Sequence, residues 1–364
     1  ADRVDIDASA ARALTAVGNI AVTSNIDGIR LDNGASTVTL TANNDGDVSL
    51  AGVTDDGAGG TAADLTISAQ GGATLSTVAL NDGTDGSLSV TVDSNDDGTE
   101  TLQAGGAISN VNDVTLAGDG VTHNDTIDIN GDITTTAGNL DIQSANQVTI
   151  DASAARALTS AADLNINTNV SGIQLDGGSN TVTLEANGDA NDVDLAGITD
   201  DGAGGTAADL TITSEGGVNL STVALDDTTD GTLSVTADDN DNGTETITVA
   251  GAISNVNDAT LAGDGATHND TIDINADITT TAGNLDIQSA NQVTIDASAA
   301  RALTSAGALN INTNVTGIQL DGGSNTVTLA SGGDNDVKLA AVTDDGAGGN
   351  AASLTVNSEG TINS

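Results

Sequence analysis

Three-residue clusters with an apolar, a polar and then an apolar residue constrain this chain most. They read "VTI" at 148–150, "LNI" at 164–166, "IQL" at 173–175, "VTL" at 182–184 and "VDL" at 193–195, and continue through "LTI" at 210–212 to "LDI" at 285–287. Alternation with a period of two marks a short strand whose two aliphatic residues share one face. Between the clusters lie turns such as "DGGSN" and "DDGAGG", rich in the residues that tolerate positive φ. Strands this short cannot bury much singly. They become stable if the chain coils so that each pairs in parallel with its equivalent one turn later, about 4.8 Å away. Aliphatic residues then stack into ladders, and the polar middle residue faces water. The spacing therefore predicts an all-β fold, a parallel β-helix or β-solenoid whose stability sums neighbouring-coil contacts. Coils of about 20 residues would give about 18 turns.

Composition fits a narrow interior. The 364 residues include no Phe, Tyr, Trp, Pro, Cys or Met, so Val, Ile and Leu are the only large apolar side chains. A string of β-sandwich modules is the alternative architecture, but sandwiches use longer strands around a wider core. Acidic, aromatic-free chains can be disordered; here the hydrophobic residues are periodically placed, which argues for a fold. The stretch "ASAARALTSAA" (152–162) is the only helix-like one, and its β flanks favour a turn or outward loop.

The chain also repeats on a longer period. "TIDASAARALTS" runs from Thr149 to Ser160 and again from Thr294 to Ser305, with a near copy at Asp5 to Ala16. "TDDGAGG" begins at Thr54, Thr199 and Thr343. The period is about 145 residues, which divides the chain into 1–145, 146–290 and a partial 291–364, with no Pro- or Ser-rich linker between them. The expectation is one continuous solenoid, cut from a longer chain whose targeting signals lie elsewhere.

The stretch "TTAGNLDIQSANQVTIDASAA" resembles the repeat regions of filamentous-haemagglutinin-type proteins and other giant bacterial surface adhesins. The likeness is one of pattern and covers the whole chain. It implies a right-handed β-helix, secretion to the cell surface, and a long fibre. No binding residue of that family carries across.

Six basic residues stand against 53 acidic ones, a formal charge of −47. Such a surface repels nucleic acid and anionic membranes and attracts cations. No apolar run is long enough to span a bilayer as a helix. Calcium is the candidate cofactor. In "DSNDDGTE", Asp93, Asn95, Asp97 and Gly98 match the first half of a calcium-binding loop, and Asp238, Asn240, Asn242 and Gly243 match it again in "DDNDNGTE". The twelfth position is Ala104 or Val249 rather than Glu, which favours a solvated acidic turn over a calcium site. "AGDGVTHNDTIDI" carries a fragment of a calcium nonapeptide, and Asp55/Asp56, Asp200/Asp201 and Asp344/Asp345 could hold a cation or simply form corners. His123 and His268 each stand alone, without the converging ligands a zinc site requires. Arg12, Arg156 and Arg301 occupy one repeat position and can pair with a neighbouring Asp across coils or between fibres, or remain solvated. Asn124 and Asn269 head glycosylation sequons.

Together these features predict a non-enzymatic, extracellular structural protein: a fibre, sheath or adhesin stalk that self-associates into fibres or bundles, with a cell-surface or host-matrix partner. The alternative is a calcium-dependent surface-binding module.

Overall fold

The computed structural model describes every residue except 1, 2, 24, 25, 33, 58, 59, 96, 97, 120–123, 204, 239–242, 264–269 and 347–350. Among the described residues there are only strands, turns and bends, with no helix. The apolar–polar–apolar clusters all form strands, and in each the outer two residues are buried while the middle one stays accessible. Two compact units result. One comprises Ala1–Asp151 with Arg156–Gln174, the other Ala152–Ala155 with Leu175–Ser364.

In each unit the strands pair in parallel with the third strand before and the third after, so three strands make one coil and three parallel sheets build the solenoid. In the first unit the sheets start from Val4–Asp7, Arg12–Val17 and Ile20–Val22. In the second they start from Val182–Ala186, Val193–Leu195 and Ile198–Asp200. Parallel pairing throughout sets aside the sandwich alternative, whose sheets are antiparallel.

The register shows why aromatics are unnecessary. Val38, Leu65, Leu88, Val114, Leu140 and Leu164 lie one above another in successive coils of the first unit. Leu40, Ile67, Val90, Leu116 and Ile142 form the adjoining row, and none of the eleven is more than 3% exposed. Leu210, Leu233, Ala259, Leu285, Leu309 and Val337 make the corresponding ladder in the second unit. Full burial of a Val, Leu or Ile contributes about 1.5 to 3 kcal/mol, and in-register stacking lets similar residues fill a narrow core without gaps.

Coils are longer than the expected 20 residues. The register steps from 21 residues (Thr126 to Gln147) to 30 (Val78 to Ile108), with 25 common. The excess lies in corners that carry turns of their own, for example between Val53–Asp55 and Leu65–Ala69. The turn or outward loop expected in the Ala-rich stretch is also corrected: Arg156–Ser160 is a strand, with Leu158 paired beside Ile133 and fully buried. Ser160 points inward at the strand's end, where its hydroxyl donates to Asp163 O at 2.8 Å and accepts from Leu140 N at 3.1 Å. That bonding makes a polar inward residue tolerable.

Acidic side chains crowd the outward positions, and the stacking pattern keeps many apart. Asn165 Nδ2 donates to Asp141 at 2.8 Å, Asn310 to Asp286 at 2.6 Å, and Gln103 Nε2 to Asp128 at 3.0 Å, each one coil away. A carboxylate thus meets an amide donor where a second carboxylate would repel it.

The 145-residue repeat is not a whole number of coils. Arg12–Val17 is the second strand and its copy Arg156–Ser160 the nineteenth, seventeen strands or five and two-thirds coils later. Consequently the copy lies on a different face. In the first unit Arg156–Ser160 belongs to the sheet that starts with Val4–Asp7, not to that of Arg12–Val17. In the second unit Ile198–Asp200 and its copy Val342–Asp344 likewise occupy different sheets.

Candidate functional site: the acidic corners

The calcium-like turns follow Leu88–Thr91 and Leu233–Thr236. Asp93 and Asp238 both adopt left-handed backbone (φ 49° and 55°) and both are completely buried. Each uses its side chain within the turn: Oδ2 of Asp93 accepts from Gly98 N at 3.3 Å, and Oδ2 of Asp238 accepts from Gly243 N at 3.3 Å. Their backbone amides reach back a coil, to Gly71 O and Gly216 O. Asn95 donates from Nδ2 to Asp45 Oδ1 at 3.4 Å. Asp97, Asn240 and Asn242 lie outside the described residues. So do His123 and His268, along with Asn269.

Sequence reasoning quoted Glu100 and Glu245 at the end of each motif without giving them a role, and overlooked Asp125 and Asp270. Burial pushes the Glu100 carboxyl up from its ordinary value, and the charges of Asp93, Asp47, Asp125 and Asp45 push it further. Glu245 is raised in the same way by burial and by Asp238, Asp192 and Asp270. Asp125 and Asp270 are buried. Asp125 accepts from Glu100 N at 2.9 Å and Asp119 N at 3.1 Å, and Asp270 accepts from Glu245 N at 3.2 Å. These aspartates hold the corner shut through backbone amides, so each repeat builds one multi-carboxylate corner from two successive coils. The available signal was that both "HNDTIDI" and the acidic turn recur together in the two full repeats.

The "TDDGAGG" corner also draws on the next coil. One carboxylate oxygen each from Asp55, Asp56 and Asp82 lies within 4.8 Å of the others. Asp82 was not among the expected residues, because it lies about one coil further along. Asp55 accepts from Ala63 N at 3.3 Å and Gly57 N at 3.4 Å, yet burial raises its carboxyl above the ordinary value. Asp200, its copy, accepts from Ala208 N and Gly202 N and is raised for the same leading reason. Beside it Asp201, held low chiefly by Ala203 N, and Asp227 line an open cleft of about 330 Å³ with Gly177, Ser179 and Gly205. At the third copy, a hydrogen bond with Asp345, reinforced by burial, raises Asp321. Asp344 accepts from Gly346 N at 3.1 Å and Ala352 N at 3.0 Å.

Each of the repeated arginines meets an aspartate of its own corner. Arg156 meets Asp151 at 2.7 Å and Arg301 meets Asp296 at 2.6 Å, each pair about four-fifths buried. Arg12 meets Asp7 at 3.0 Å in a more open setting. Arg30 stands where the later repeats have Gln174 and Gln319, and bridges Asp5 and Asp32 at 3.1 and 3.4 Å.

Chemically, these corners present clustered oxygen ligands of the type hard cations take, bound mostly to backbone amides of their own turns. No protein family, curated protein or solved structure matches this chain.

Proposed function

We propose that the chain is a structural element: a stretch of fibre, sheath or adhesin stalk built from tandem solenoid repeats and displayed outside the cell. One observation carries this reading. Each repeat copies the buried ladders and the corners closely, yet returns them on a different face of the coil. Copying therefore preserves the stack, whose pitch and cross-section a filament depends on. A catalytic or one-sided binding surface would gain from copies that stay in line. The extracellular placement follows the resemblance to filamentous-haemagglutinin-type surface proteins, and the charge of −47 supports solubility of a repetitive chain. Among the described residues no helix is long and apolar enough to cross a membrane.

Immunogold labelling of the producing cells, with antibody raised against this chain, tests the reading. Gold should follow thin filaments extending from the surface. Label confined to the cell interior, or to compact particles, rejects it.

A second reading has its own observation, the convergence of Asp55, Asp56 and Asp82. In it, Ca²⁺ joins adjacent coils at the acidic corners and stiffens a surface-binding module. Calorimetric titration with Ca²⁺ should then show saturable binding and a raised melting temperature that chelator reverses. Unchanged melting in chelator leaves the corners as hydrogen-bonded turns.

A further inference from the structure

An asparagine followed by glycine is open to attack on its side chain by the next backbone amide, because glycine has no Cβ to block the approach. The chain has four such pairs, beginning at Asn33, Asn130, Asn187 and Asn242. Asn33 and Asn242 lie outside the described residues. At Asn130 the following Gly131 is buried, and the Asn130 side chain donates to Asp128 at 2.9 Å. Asn187 is set differently. It follows the strand Val182–Ala186, which pairs with Leu210–Ser214 so that Ala186 lies beside Ser214. The next residue of that partner is Glu215, and Gly188 N donates to its Oε2 at 2.5 Å. Asn187 and Gly188 are both half-buried, so water reaches them. Gly188 has a φ of 106°, which glycine adopts freely.

The repeats supply an internal comparison. In the first, the same corner carries Asn43 and Asn44, and Asn44 N donates to the side-chain carbonyl oxygen of Gln70. The register there is the same, with Ala42 beside Ala69. In the third, Gly332 and Gly333 replace the pair, while Glu359 keeps the acid. Of these three corners, the second alone combines an asparagine, a following glycine and a carboxylate at the glycine amide. The turn around them is otherwise held by its own bonds, Asn191 Nδ2 to Asn187 O at 2.6 Å and Asn191 N to Gly188 O at 3.0 Å.

We propose that Asn187 is a site of self-modification, converted to aspartate and isoaspartate with Glu215 as the general base. Glu215 takes the proton from Gly188 N, and that nitrogen attacks Asn187 Cγ. A succinimide ring closes as the bond from Cγ to Nδ2 breaks, and Glu215 returns the proton so that the nitrogen leaves as ammonia. Water then opens the ring. Addition at Cγ gives aspartate; addition at the backbone carbonyl gives isoaspartate, whose main chain runs through the former side chain. The net change is one water consumed, one ammonia released and one negative charge gained beside Asp189 and Asp192. Holding the base against the attacking nitrogen is the contribution of the coil register. This goes beyond the fibre reading and does not depend on it.

Peptide mapping by mass spectrometry tests this, on the purified full chain aged at neutral pH and on a parallel sample unfolded in urea. Electron-transfer fragmentation tells isoaspartate from aspartate. In the folded chain Asn187 should convert at least about tenfold faster than Asn130 or Asn43, and at least about tenfold faster than Asn187 does in urea. Glu215→Gln copies the side chain at Gln70 and keeps an acceptor for Gly188 N, and should slow Asn187 by at least about tenfold with Asn130 unchanged. The converse variant, Asn44→Gly with Gln70→Glu, should bring the reaction to Asn43 in the first repeat. Circular dichroism confirms that each variant is folded. Conversion of Asn187 no faster than that of Asn130, faster conversion in urea than in the folded chain, or an unchanged rate in folded Glu215→Gln overturns the proposal. None of these outcomes bears on whether the chain forms surface filaments.

Discussion

Leu14 and Leu158 hold the same place in the repeat, so truncating each to Ala isolates what coil stacking contributes. Leu158 is fully buried beside Ile133, and Leu14 is 42% exposed at a terminal coil. Removing three carbons at about 0.8 kcal/mol each forfeits about 2.4 kcal/mol at a fully buried site. The cavity left at Leu158 adds to this, for a total of about 3 to 4 kcal/mol. Little more than half of the transfer term applies at Leu14 and no closed cavity forms, so the cost is about 1.4 kcal/mol. A solenoid loses structure locally before it loses it globally, so the assay is native-state hydrogen exchange at protein concentrations that keep the chain monomeric. Amides of Arg156–Ser160 and Ile133–Thr135 should exchange more than 100-fold faster in Leu158→Ala. Amides of Arg12–Val17 should accelerate only about tenfold in Leu14→Ala. Equal losses at the two sites, or less than about 1 kcal/mol at Leu158, would refute the argument from stacking.

Other expectations follow from the same geometry. Asn165→Asp sets a carboxylate over Asp141 in place of the amide that donates to it and should cost about 0.5 to 1 kcal/mol, measured by chemical denaturation and reduced by salt. Gly86→Ala and Gly231→Ala should each cost about 2 kcal/mol or more, because the new Cβ falls 2.1 Å and 2.0 Å from the backbone oxygens of Ala63 and Ala208 in the preceding coil; melting curves check this. Arg156→Gln should destabilise more than Arg12→Gln, since the Asp151 partner is far less exposed than Asp7. The pH dependence has a definite sign. Asp55, Glu100, Asp200, Glu245 and Asp321 have raised folded values. The folded state therefore holds those protons to higher pH than the unfolded chain, so their contribution grows as pH falls through the folded values toward the ordinary carboxylate range. Asp5, Asp7, Asp201 and Asp296 have lowered values, so their contribution is present above the ordinary carboxylate value and lost as pH falls through the folded one. Melting temperature should therefore rise as pH is lowered into the upper part of the carboxylate range, before the lowered groups protonate; a fall throughout that approach contradicts this.

Much of the architecture was legible because period-two alternation is a direct imprint of a one-sided core. Clusters such as "LTI" at 210–212 state both strand and inward face. Coil length was less legible, since nothing local says which cluster stacks on which, and the corners of up to eight or nine residues absorb the difference. "RALTS" was expected to be a turn or outward loop because its Ala-rich surroundings lack the alternation of the other strands; the strand is decided by Leu158 taking its place in a ladder. At the corners the sequence displayed Asp93, Glu100, Asp238 and Asp55, but hid Asp82, Asp125 and Asp270. Those groups arrive from further along the coil path, a distance that only the register reveals. The rotation of the repeat was hidden for a related reason: strand counts per repeat matter only once three strands are known to make a coil.

The parallel register itself is open to a direct chemical test. Ser89 and Thr115 are outward neighbours in adjacent coils, about 4.8 Å apart at the usual strand spacing, within the range a disulfide spans. The chain has no cysteine, so Ser89→Cys with Thr115→Cys introduces the only two thiols. Mild oxidation of the dilute monomer should close an intramolecular disulfide in nearly all molecules, while Ser89→Cys with Gln103→Cys, on different sheets, should stay reduced. Cross-linking of the second pair, or of neither, would contradict the stacked-coil account.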